Sequence, residues 1–257
     1  MNRRKPRVAC FVCNWAVDEE ELAAAKLQKI FPNTSVVSVA CIGGIDPVVP
    51  LEILLKGVDG VLIVGCAPPD CHFIKGNVCA EHVVNVLKKL IALSLLEPQR
   101  LALRWVSPIE ETRFSKILED FTEKLETLGP SPLSREKYEA NIFENLLAAK
   151  NALEDFPLRA AIGKEMELAS GVNAYNEKIP QEELNALLDR VIETEFIRHK
   201  ILLSAMKKSF SVKELAIALN MKPASVLRHI LNMRRKGMIA LDHYEGTTPL
   251  YKALEVR

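Results

Sequence analysis

The sequence predicts an α/β protein in three parts. These are a parallel four-stranded Rossmann- or flavodoxin-like layer over 1–130, a helical linker or docking arm over 131–192, and a winged helix-turn-helix over 193–257. Four strand–helix repeats predict the first part, because consecutive βα units build a parallel sheet with right-handed crossovers. Helix breakers without strand signals predict the second. A capped helix, a short helix, a turn, a helix and a hairpin, in that order, predict the third.

Arg7 to Val12 reads as the first strand. Glu19 to Ile30 reads as a helix, with Leu22, Leu27 and Ile30 at helical spacing and Asp18 as its N-cap. Thr34 to Ala40 is short and β-branched, hence a second strand. Pro47 to Lys56 is a helix closed by Gly57. Gly60 to Gly65 is apolar throughout, as in a central parallel strand covered on both faces. Ala80 to Leu95 is a helix, Leu101 to Val106 a fourth strand, and Glu110 to Leu128 a helix stopped by Gly129 and Pro130. Residues 134–192 read as helices broken near Pro157, Gly171 and Pro180. A helix from about Glu193 to Lys208 leads to Ser211, which with Glu214 forms a capping box for a short helix. Pro223 sits at the start of the next helix, where its missing N–H costs nothing. That helix runs from Ala224 to Lys236, and Met238–Asp242 and Leu250–Leu254 complete a hairpin.

The 257 residues are 49% hydrophobic and 26% charged, enough apolar material for a sizeable core. A net charge of +1 gives the whole chain no nucleic-acid or membrane signature. No apolar run reaches the roughly 18 residues of a transmembrane helix, and the basic start is not followed by a signal-peptide core, so a cytoplasmic location is expected. In that compartment thiols stay reduced, and six cysteines point to a cofactor or redox role rather than to disulfides. No GxGxxG follows the first strand, and no Ser–His–Asp set, carboxylate pair or phosphate loop is visible. Substrate turnover by this chain alone is therefore not expected.

All six cysteines, Cys10, Cys13, Cys41, Cys66, Cys71 and Cys79, lie in the first third of the chain. Cys13 follows the first strand, Cys41 the second, and Cys66 and Cys71 the third. In a parallel sheet these ends share one edge, where such folds build their sites. Four thiolates converging there suit a soft metal, either zinc or an iron–sulfur cluster, and a 2Fe-2S cluster takes four ligands. Trp15, Pro68 and Pro69 are candidates to wall the site. Cys10 lies inside a strand and reads as a core residue, or as a reserve metal ligand. Cys79, near a helix start, reads as a bystander. His72, beside Cys71, reads as structural or as a ligand or proton partner, and His82 and Asp70 read as structural.

The segments FVCNW (11–15), VACIGGIDP (39–47), KGVDGVLIVGC (56–66) and PPDCHFIKGN (68–77) resemble the delta subunit of methyl-viologen-reducing hydrogenase. The resemblance covers about residues 7–130. It implies a small electron-transfer protein with a 2Fe-2S cluster at Cys13, Cys41, Cys66 and Cys71. It also implies transfer between a hydrogenase or other dehydrogenase and the flavin subunit of a heterodisulfide-reductase-type complex. That family usually reads CNWC where this chain has Ala16. Cys10 or Cys79 is then the candidate replacement.

The last part is basic, with 12 Lys and Arg against 6 Asp and Glu over 193–257. Ser225, Arg228, His229, Asn232 and Arg235 lie on the candidate recognition helix, and Arg and Asn are the side chains that read guanine and adenine. Lys222, Arg234 and Lys236 are candidate phosphate contacts. Two roles follow for this part: docking within a protein complex, or DNA reading by a redox-sensing regulator.

Overall fold

A computed structural model describes residues 4–17, 31–106, 114–134 and 138–254. The helix expected over 19–30, with its cap Asp18, lies outside the described residues. By its internal contacts the chain divides into two compact units, Met1–Ile192 and Glu193–Arg257.

The first unit is built on a four-stranded sheet, β1 (Val8–Cys13), β2 (Thr34–Val39), β3 (Gly60–Cys66) and β4 (Leu101–Val106), in the order β2-β1-β3-β4. Every pairing is parallel, so all four strands end at one edge. Helices α1 (Val48–Leu55), α2 (Gly76–Leu93) and α3 (Phe114–Leu128) return the chain between and after the strands. β3 is buried along its whole length. Its Leu62 and Val64 pack with Val8, Cys10 and Val12 of β1 against Phe114, Leu118, Phe121 and Leu125 of α3. Ile63, on the opposite face, lines a small cavity together with Val84 and Leu87 of α2 and Pro50 of α1. Strand alternation thus feeds two apolar layers from one sheet.

α2 starts at Gly76, four residues before the expected Ala80. The segment 131–192 was expected to be a linker or arm; its helices α4 (Ala140–Glu154) and α5 (Phe156–Ser170) belong to the first unit. α4 buries Leu146, Ala148, Ala149, Ala152 and Leu153, packing on α1 and α2. Lys150–Glu52 (3.5 Å), Arg159–Asp46 (2.8 Å) and His82–Glu165 (3.0 Å) link the two layers of helices. Small alanines allow the close approach, and this burial is invisible to a reading that looks for strands.

At the N-terminal edge of the sheet a charged hub ties the strand starts together. Asp59 is buried and accepts from the Arg7 backbone N–H (2.7 Å), the Ser131 N–H (2.8 Å) and the Arg4 guanidinium (3.0 Å). Arg100, with 0% exposure, donates to the carbonyls of Asp59, Gly129 and Pro130 and pairs with Glu97 at 2.8 Å.

Helix α6 (Gln181–Lys207) starts at Gln181, not at about Glu193 as expected, and its later part belongs to the second unit, ending before β5 (Phe210–Ser211). Then follow α7 (Val212–Ala218), α8 (Pro223–Arg235), β6 (Ile239–Glu245) and β7 (Thr248–Ala253), and the sheet order is β5-β7-β6, antiparallel. Phe210, Leu215, Val226, Ile230, Met233 and Tyr251 form its core with Ile201 and Ala205. The Ser211–Glu214 capping box is present. The loop expected over 243–249 is instead mostly paired strand, because Gly246, at φ +60, allows a two-residue turn. β5 is too short to leave a sequence signal.

Arg100→Leu strands three carbonyls and Glu97 without their buried partner. It is expected to lower unfolding free energy by about 3 kcal/mol in a urea titration. Glu214 has its carboxyl pKa lowered by the Ser211 backbone and hydroxyl. A depressed folded pKa gives stability that is complete above the usual value of about 4.3 and is lost as pH falls through the folded value. The melting temperature of the parent minus that of Glu214→Gln is therefore expected to be larger at about pH 6 than at about pH 3.

Candidate metal centre

β1 ends in Cys13 and β3 in Cys66, and Cys41 lies two residues past the end of β2. Parallel register sets them level: Cys13 pairs with Val39, and Val12 with Val64. The Cys13 and Cys66 sulfurs stand 3.8 Å apart, and the Cys13 thiol also approaches the Ala40 carbonyl at 3.7 Å. Cys13 and Cys66 are 2% and 7% exposed, and Cys41 and Cys71 are half-buried.

Cys41 and Cys71 meet on the other side of the site, at the first residue of α2. A Cβ placed on Gly76 would come closer than 3.0 Å to the Cys41 Sγ and to 3.3 Å from the Cys71 Sγ. The four sulfurs also feel one another electrostatically: Cys13 and Cys71 act on both Cys41 and Cys66. Among the described residues, no three His, Cys, Asp or Glu side chains close on one point as a single metal ion would require. The geometry is two neighbouring pairs, Cys13 with Cys66 and Cys41 with Cys71.

Desolvation is the main cause that raises the Cys41 and Cys66 pKa values, with the neighbouring thiols adding to it. Cys66 is pushed up to about 11. Backbone donors work the other way. The Gly43 N–H points at Cys41, and the His72 N–H at Cys66. The N-terminal end of α2, with its partial positive charge, abuts the Cys41 and Cys71 sulfurs. Asn77 is buried and donates from Nδ2 to the Cys66 carbonyl at 3.3 Å, tying this helix end to the end of β3.

Cys10 does not join the group. It packs in the core with Val8, Val12 and Leu62, and burial raises its thiol pKa far above the ordinary range. A spacing of three along a strand puts Cys10 and Cys13 on opposite faces. Ala16 packs against the same core cluster, so it offers nothing to the rim. Cys79 lies in the first turn of α2 and is half-buried. His72 stacks on Trp15, with ring centroids 3.4 Å apart, and meets Phe73 edge-on at 5.1 Å. His82 pairs with Glu165. Trp15, Phe73, Ile74 and Val78 are all exposed.

Sequence reasoning placed Gly43 and Gly76 in the segments VACIGGIDP and PPDCHFIKGN but gave neither a role at the site. A Cβ on Gly43 would lie 2.5 Å from the Gly76 carbonyl oxygen, so the loop after β2 rests directly on the start of α2. Gly76 follows the N-cap Lys75 as the first residue of α2, and its place in the segment PPDCHFIKGN was the available signal.

A sequence profile for the family described as "Methyl-viologen-reducing hydrogenase, delta subunit" matches residues 8–129. An iron-sulfur subunit of the F420-non-reducing hydrogenase of Archaeoglobus profundus is 34% identical over 132 residues, which cover 51% of this chain and 96% of that protein. The iron-sulfur subunit of the vhc F420-non-reducing hydrogenase of Methanococcus voltae is 30% identical over 130 residues, 50% of this chain and 90% of its own. In Methanosarcina mazei, one subunit of the ferredoxin:CoB-CoM heterodisulfide reductase is 39% identical over 138 residues, 51% of this chain but 17% of that longer protein. The profile match spans the four parallel strands and the sulfurs, and the two hydrogenase subunits are covered over 96% and 90% of their length, so the chain belongs to the methyl-viologen-reducing hydrogenase delta subunit family.

Proposed function

We propose that the chain is an electron-transfer subunit whose first unit holds a 2Fe-2S cluster on Cys13, Cys41, Cys66 and Cys71. It passes single electrons between a hydrogenase or other dehydrogenase and the flavin subunit of a heterodisulfide-reductase-type complex. The observation that carries the reading is the meeting of four thiols from three loops as two adjacent pairs. A tetrahedral site with metal–sulfur bonds of about 2.3 Å has sulfur–sulfur edges of about 3.8 Å, the separation of Cys13 and Cys66. A two-iron cluster takes two thiolates on each iron, so it needs no three side chains at one point. Zinc on the same four thiolates is the alternative, and metal analysis separates the two.

The donor set fits the group. Soft sulfurs suit iron, and the Gly43 and His72 N–H groups stabilise charge on sulfur. When bound, the cluster supplies one-electron exchange. Two features support a docking role for the surroundings. Trp15, Phe73, Ile74 and Val78, on the segments around Cys13 and from Cys71 into the start of α2, are exposed apolar side chains. The mazei relative joins a similar segment within a longer heterodisulfide reductase chain.

The second unit reads as a winged helix-turn-helix that docks protein. Leu227 and Leu231, one turn apart on α8, are 39% and 43% exposed. Apolar side chains on the candidate recognition helix suit a protein partner better than a phosphate backbone.

Anaerobically purified chain is expected to carry about two irons and two sulfides and to give a rhombic electron paramagnetic resonance signal on reduction. Alanine at Cys13, Cys41, Cys66 or Cys71 is expected to abolish that signal, and Cys10→Ala to keep it. One zinc per chain with no iron overturns the cluster. In duplex DNA titrations, binding is expected to be weak, to fade with salt and to ignore sequence. A preferred sequence bound about a thousandfold more tightly than others would establish the regulator instead.

A further inference from the structure

We propose that Gly76 is a positioning residue for the sulfur group: its missing side chain leaves the space in which the Cys41 and Cys71 sulfurs meet. The inference rests on the cluster reading above and adds a residue to it that is not a ligand. Helix propensity gives no reason to prefer glycine over alanine at this place. Nor does backbone conformation demand it. The positive-φ glycines of the described chain are Gly57, Gly129, Gly237 and Gly246, and Gly76 is not among them. Space is the remaining reason. A Cβ there would fall inside 3.0 Å of the Cys41 sulfur, closer than real Cβ contacts come, and 3.3 Å from the Cys71 sulfur.

The loop cannot simply back away. Cys41 opens the short turn Ile42–Gly44, whose Gly44 N–H donates to the Cys41 carbonyl at 3.1 Å. Gly43 of that turn already touches the Gly76 backbone, where its own Cβ would lie 2.5 Å from the carbonyl oxygen. Two backbones in contact therefore fix the distance between the Cys41 loop and the helix start. A methyl group at residue 76 displaces the sulfur rather than the loop. Asn77, hydrogen-bonded to the Cys66 carbonyl, holds the helix end in its turn, so the displacement is not absorbed by sliding α2.

The test compares the full chain with Gly76→Ala and with Gly163→Ala, a helical glycine whose added Cβ would meet nothing within 4 Å. Each is reconstituted anaerobically with ferrous iron and sulfide. The rate of iron loss to a chelator, the electron paramagnetic resonance spectrum and the midpoint potential are then read. Gly76→Ala is expected to lose iron on the order of tenfold faster and to give a changed spectrum, as substitutions beside metal ligands do. Gly163→Ala is expected to match the parent. A Gly76→Ala chain with the parent's iron retention, spectrum and potential overturns the inference.

A parent chain that takes up no cluster overturns the cluster reading instead. The positioning claim is then read without metal, from capture of phenylarsine oxide by the Cys41–Cys71 pair in a Cys13→Ala/Cys66→Ala background. Capture weakened by Gly76→Ala supports it, and unchanged capture overturns it. Should Gly76→Ala fold poorly, adding Cys41→Ala removes the sulfur it would strike. Recovery of the melting temperature supports the inference, and no recovery overturns it.

Discussion

Parallel pairing of β1 with both β2 and β3 is the constraint on which the site depends. Cys13 is level with Val39, and Val12 with Val64, so the three strands finish within about a residue of one another. The loops that leave them are then forced onto one edge, and their thiols arrive together from distant parts of the sequence. A register slip of one residue would turn Cys13 to the other face and bring core side chains to the rim. The apolar packing of Leu62 and Val64 on α3, and the burial of Ile63 on the other face, makes such a slip costly. At the other edge the Asp59–Arg100 hub ties the strand starts to the chain before β1 and after α3. The site at one end is held in register by packing and by polar bonds at the other.

Gathering thiols in a partly dry place has a cost, visible as the raised pKa values of Cys41 and Cys66. The same arrangement supplies what offsets it once the sulfurs carry charge. Backbone N–H groups of Gly43 and His72 and the positive end of α2 all face the sulfurs. Because these donors are main chain, they survive most side-chain substitutions and depend instead on the close backbone contact at Gly43 and Gly76. Under the proposed reading, the fold provides an electron carrier with a rigid seat, and the exposed aromatic and aliphatic side chains on the cysteine-bearing segments provide a place for partners to approach.

Beyond the sheet, α4 and α5 close the first unit, so the family segment in this chain sits under a further helical layer. The second unit has its own core, capping box and three-stranded sheet, and its charge of twelve basic against six acidic residues contrasts with the balanced first part.

Local signals in the sequence determined much of this. The β-branched run at 34–39 and the uninterrupted apolar run at 60–66 could be little else than strands, and the Ser211–Glu214 cap announces its helix. Strand order and a shared edge follow from the βα alternation, so the grouping of Cys13, Cys41, Cys66 and Cys71 was legible before any coordinates. Tertiary structure alone decided the rest. Whether α4 and α5 span a gap or pack depends on which faces meet α1 and α2, and alanine-rich faces leave no periodic mark of that. That Cys10 turns inward follows from side-chain parity only once the strand's limits are known. Gly43 and Gly76 matter because two segments far apart in sequence touch through their backbones, and no one-dimensional pattern records a contact made by atoms that every residue shares.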